Sequence, residues 1–131
     1  MEAATEVFAA LSLMVIGVSH ISQPGAWVDF FIWLRSKGRA GVFMNGFLTL
    51  GFGSIIVAFH NVWTGLPVVL TVFGWAQVLK GVVNFVAPQV ALWGLARISI
   101  ERAWHFRVGG IFALGLSALL WYVVLSRSQN A

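Results

Sequence analysis

The sequence predicts an all-α polytopic membrane protein. Three observations carry that prediction: an apolar composition, long gaps without charge, and short basic segments between them. The 131 residues are 60% hydrophobic and only 9% charged, with a mean hydropathy of +0.90. A soluble domain carries roughly 25% charged residues, so this surface cannot face water on all sides. Seven Trp and eleven Phe suit lipid contact and interfacial anchoring. The length allows one compact unit. The absence of Cys excludes disulfides, thiolate catalysis and Cys-based metal sites. The net charge of +4 lies in short patches between apolar runs, which fits a membrane surface and not nucleic acid.

The first span follows from the run Val7 to Val28, which has no Asp, Glu, Lys or Arg. The run from Ala40 to Leu79 is 40 residues long and equally free of charge. At 1.5 Å per residue that is about 60 Å, or two passes of a ~30 Å hydrocarbon core. The break between those passes is HNVWTG at 60–65, followed by Pro67, which suits a first helical turn. The last charge-free run is Val108 to Ser126. Four spans are therefore expected near 5–21, 41–59, 66–87 and 108–125. Glu2 and Glu6 stand where a signal peptide would be basic, so no cleaved leader is expected.

Basic residues predict the topology. The first connection holds Arg35, Lys37 and Arg39, and the third holds Arg97, Arg102 and Arg107. The second connection and the N-terminal segment hold none. The positive-inside rule then puts connections one and three in the cytoplasm and both termini outside, with Arg127 as the one counter-signal. In AWVDFFIWLRSKG, the residues Trp27, Phe30, Phe31 and Leu34 recur at helical spacing, which predicts a short amphipathic helix lying in the interface. VALWGLARISIERAWHF is expected to be helical too, with Arg97 and Glu101 as an i,i+4 pair. These six basic residues read either as topogenic anchors or as contacts to anionic lipid or a cytoplasmic partner.

A shift of 64 residues lays Gly17, Val18 and Pro24 on Gly81, Val82 and Pro88, and Gly46, Leu50 and Gly51 on Gly110, Leu114 and Gly115. Each half is then a span, a Pro, an interfacial helix and a Gly-containing span. The expectation is one domain, 1–131, with repeat halves 1–64 and 65–131 related by a pseudo-twofold axis along the membrane normal. Shared composition is the alternative explanation.

The third span divides into two faces. At 100° per residue, Val68, Val72, Trp75, Leu79, Val82 and Val86 form an apolar stripe suited to lipid. Gly74, Gln77, Lys80, Gly81 and Asn84 lie opposite, and small and polar residues usually mark the protein-facing side. Lys80 is thus expected to face the bundle interior, toward its cytoplasmic end. An intramembrane lysine needs a partner or water, so it either binds an anion or snorkels to the headgroups. Asn45, Thr49, Gly53 and His60 share a face of the second span, and with Gln77, Lys80, Asn84 and the adjacent Asn61 they form a candidate polar or binding face. GFGS at 51–54 lacks the lysine and the strand-to-helix setting of a phosphate loop.

His20 and His105 are both expected near the inner interface, and two histidines on neighbouring helices can hold a haem iron. Interfacial histidines are common without metal, and no cofactor or metal site is expected. No H-E-x-x-H motif, no usefully spaced carboxylate pair and no nucleophile elbow is present, so an enzyme is not expected.

HNVW followed by VFGWAQVLKGVVNFVAP resembles an uncharacterised group of small bacterial four-span integral membrane proteins. The resemblance rests on His60, Asn61, Trp63, Gly74, Trp75, Lys80, Gly81 and Pro88, within residues 55–88. It implies a bacterial inner-membrane location and no particular activity. The expected function is a non-catalytic accessory or scaffold subunit, in a homo-oligomer or a larger membrane complex. The alternative is a minimal transporter or channel using the polar faces of spans two and three. The lipid bilayer is the expected partner, anionic lipid included.

Overall fold

The computed structural model covers all 131 residues. Six α-helices follow in order: α1 (Glu2–Ser22), α2 (Pro24–Ser36), α3 (Arg39–Phe59), α4 (Val68–Val86), α5 (Pro88–Leu95) and α6 (Trp104–Gln129). A 3-10 turn, Ile100–Arg102, precedes α6. The helices α1, α3, α4 and α6 are long and apolar enough to cross a membrane, whereas α2 and α5 are not. The four spans match the charge-free runs, each starting or ending within a few residues of expectation.

Proline sets the boundary between span and interfacial helix. Pro24 and Pro88 open α2 and α5, where a missing N–H costs nothing. The residue before a proline is pushed out of the helical region, so the span must stop there. Gln23 has φ −129° and ψ 49°, and Ala87 has φ −131° and ψ 62°. These two residues are 64 apart, and the chain makes the same bend at each. The α2–α3 connection turns more sharply. Gly38 adopts φ +59°, a backbone conformation that side-chain-bearing residues rarely take. Gly41 then stands against the Leu34 carbonyl with no room for a Cβ.

The spans pack as two pairs. α1 runs along α6, which joins the two ends of the chain, and α3 runs along α4. Residues 64 apart make the same contacts in the two pairs. A Cβ on Gly17 would lie 2.9 Å from Leu114, and a Cβ on Gly81 would lie 2.6 Å from Leu50. Ser117 donates to the Ala10 carbonyl at 2.8 Å, while Gly53 sits against the carbonyl of Gly74. Small residues at these points let the backbones approach, which is how helices gain packing energy where lipid tails are as apolar as the protein. A core of Ala9, Ala10, Leu13, Ile56, Leu70 and Leu120 forms where the pairs meet. Elsewhere the pairs touch little, and a groove opens between them.

The interfacial end is tied by one arginine. Nη1 of Arg35 in α2 lies 3.2–3.4 Å from the carbonyls of Leu95, Ala96 and Ile98, so it ties α2 to the end of α5 and the turn that follows. Trp27 reaches back to α1 through Nε1, donating to Ser19 Oγ at 2.9 Å. The third connection departs from the continuous helix read in the sequence. α5 stops at Leu95, and the turn at 96–99 breaks the helical register. The i,i+4 pair of Arg97 and Glu101 consequently does not form. Both ion pairs of the molecule lie elsewhere, and Arg97 instead covers the Trp93 ring at 3.6 Å.

Candidate functional site

Glu6, His60 and Thr71 are fully buried at the end of the bundle that carries both termini. Glu6 sits one turn into α1, His60 ends α3, and Thr71 lies in the first turn of α4. The turn between α3 and α4 is fastened first. Val62 donates its N–H to Thr71 Oγ1 at 3.0 Å, and the Thr71 hydroxyl donates to the Val62 carbonyl at 2.7 Å. The single hydroxyl hydrogen is then engaged, so Oγ1 can only accept from His60 Nδ1, 3.3 Å away. On the other side of the ring, Nε2 lies 3.1 Å from Glu6 Oε1.

Glu6 Oε2 receives a second bond, at 2.8 Å, from Arg127 Nη1 in α6. The carboxylate thus joins α1 to His60 and to α6, and His60 extends the network to Thr71 of α4. Arg127 is half exposed and Glu6 not at all, so the arginine shields the carboxylate from the outside. No buried side-chain polar atom in the protein lacks a partner. The polar groups of the cluster are bonded to one another, and it holds no set of three metal-ligating residues.

The remaining candidate residues are dispersed. Thr49 bonds back to the carbonyls of Asn45 and Gly46 within its own helix. Asn84 donates to the Lys80 carbonyl, also within its own helix. Asn61 lies at the exposed turn, accepting from the indole N–H groups of Trp63 and Trp75 at 3.0 and 3.3 Å. Asn45, Thr49, Gln77 and Lys80 meet in the groove between the helix pairs, whereas His60, Asn61 and Asn84 do not line it. His20 also borders the groove, stacked on Trp27 at 4.1 Å, with Nδ1 2.8 Å from the Ile16 carbonyl. His105 lines a separate pocket with Arg97 and Arg102, at the start of α6.

The groove has a volume of about 1100 Å³ and mostly apolar walls. Lys80 is the one residue carrying a full charge on its lining. Its side chain is exposed there, with no ion pair. It points away from the apolar stripe of α4, in which Val72, Trp75, Leu79, Val82 and Val86 are all exposed. Yet it is not enclosed, because the helix pairs separate at its level.

The cluster around Glu6 was not assembled from sequence. Its partners are 54 and 121 residues away, beyond any local spacing. A usable signal was present: Glu6, His60 and Arg127 all fall at the same end of their spans. Set against known proteins, the chain matches no protein-family model, no curated protein and no solved structure.

Proposed function

We propose that this multi-pass helical membrane protein is a non-catalytic accessory or scaffold subunit of a larger membrane assembly, located in a bacterial inner membrane. Both termini face outward, and the ends of the spans that carry α2 and α5 face the cytoplasm. The observation that carries the reading is the closed cluster at Glu6. It consumes the buried ionisable groups in binding the spans to one another, which is what a structural element does. The basic residues Arg35, Lys37, Arg39, Arg97, Arg102 and Arg107 support the orientation, since they gather on connections one and three. The engagement of Arg127 by Glu6 accounts for a basic residue at the opposite end.

The test is purification in mild detergent at native expression level, followed by native mass measurement. The expected result is a stable complex with a different membrane protein. A protein recovered without partners that conducts ions or solutes in proteoliposomes would contradict the reading. Reporter fusions check the orientation, with an external C-terminus expected.

A further inference from the structure

The groove between the helix pairs carries a single full charge, at Lys80, and its lining continues past that residue to His20 and to Trp27, Phe30 and Phe31 of α2. On α4 its lining runs along one face through Val69, Val72, Phe73, Ala76, Gln77 and Lys80. Eleven residue steps separate Val69, near the start of α4, from Lys80, about 16 Å at 1.5 Å per residue, with six more residues to the end of the helix at Val86. Lys80 stands toward the α5 end of that run. A lysine stem reaches several ångströms farther, toward the interfacial helices.

The groove is open because residues that could fill it are small. Gly109 and Gly115 line it, and a Cβ built on either would meet nothing within 4 Å. They differ from Gly17, Gly81 and Gly110, which are needed for helix contact. No Asp or Glu lines the groove. The chain has four carboxylates in all: Glu2, Glu6, Asp29 and Glu101. Glu6 is engaged by His60 and Arg127, Glu2 lies at the terminal end, Asp29 lies in α2 and Glu101 in the 3-10 turn before α6. No carboxylate of this chain pairs with Lys80.

We propose that the groove binds one anionic phospholipid, with an acyl chain lying along α4 from Lys80 toward Val69 and the phosphate region held by the Lys80 ammonium. The walls match an acyl chain, the groove continues from Lys80 to the aromatic residues of α2, and the anion supplies the charge that the protein lacks at this depth. Gln77, Asn45 and Thr49 border the same space and offer polar contacts near the glycerol region.

The test uses the full chain in nanodiscs containing equal phosphatidylglycerol and phosphatidylcholine, released into native mass spectrometry. The wild type should appear as a protomer carrying one retained phosphatidylglycerol, enriched about fivefold over phosphatidylcholine, as expected for one lysine contact. Lys80→Met should lose the preference, and Lys80→Arg should keep it. Gly115→Phe, with Gly109→Leu as a second filling variant, should lose the retained lipid of either class. Each variant is first checked for unchanged helicity and melting temperature. The proposal is overturned if the wild type retains no enriched phosphatidylglycerol, or if Lys80→Met is enriched equally. It also fails if the wild type is a dimer that Gly115→Phe splits into protomers, which would make a second copy the occupant.

Discussion

Glu6 and Leu70 occupy corresponding places in the two helix pairs, 64 residues apart, and both are completely buried. Around them the pairs are built alike. Gly17 meets Leu114 as Gly81 meets Leu50, and Ile56 and Leu120 are both fully buried in the shared core. At this one position, an apolar side chain in one pair is a carboxylate in the other. Leu70 belongs to the apolar core. Glu6 instead gathers His60 and Arg127, and His60 leads on to Thr71. The packing can therefore be nearly symmetric while the polar connection between the spans is made once.

Replacing Glu6 by Leu makes the two pairs alike and should be the most damaging change. His60 would remain buried without its acceptor, and loss of one partner of a buried ionic group costs about 3–5 kcal/mol. Leu70→Ala should cost less, about 1–2 kcal/mol. Lipid tails solvate a leucine as well as the core does, so only packing and cavity terms remain. Reversible unfolding in bicelles compares the two. An equal loss would remove the distinction between the two sites.

The glycine contacts sharpen the comparison from the symmetric side. Gly81→Ala should destabilise by about 2–3 kcal/mol, because its Cβ would meet the backbone of Leu50 as well as its side chain. Gly17→Ala should cost about 1 kcal/mol less, since its Cβ would meet the Leu114 side chain at 2.9 Å and the Gly110 carbonyl at 3.0 Å, both farther off than the 2.6 Å contact at Gly81. Gly51→Ala serves as the control, with nothing within 4 Å of the new Cβ. It should stay within about 0.5 kcal/mol of the wild type, as surface changes usually do. The same unfolding assay gives all three values, and a Gly51 variant as damaging as Gly81 would void the packing argument.

The spans were legible in the sequence because charge exclusion from a bilayer is a local rule: Ala40 to Leu79 had to contain two passes whatever the tertiary structure. Pro24 and Pro88 announced the interfacial helices for an equally local reason. The division of α4 into an apolar stripe and a small, polar face was also visible, because it depends only on helical period. What a helical wheel could not supply was the spacing between helix pairs. Lys80 faces away from the lipid stripe, but into an open groove. The i,i+4 reading of Arg97 and Glu101 failed for a related reason, since it assumed a continuous helix through a stretch where the chain turns. Glu6 was the largest omission. Its importance comes from His60 and Arg127, which only the folding of α1 against α6 and α3 brings within reach.

The central claim is that Glu6 and His60 act as one structural unit at the junction of the four spans. A double-mutant cycle of Glu6→Leu and His60→Leu, measured by reversible unfolding in bicelles, tests it most directly. Glu6→Leu leaves His60 buried without its carboxylate and His60→Leu leaves Glu6 buried with Arg127 alone, whereas the double variant leaves only Arg127, which is half exposed and can reach water. The account predicts that the double variant loses less stability than the sum of the singles, with a coupling of about 2 kcal/mol or more. Losses that add to within about 0.5 kcal/mol would contradict it, because residues acting independently behave that way.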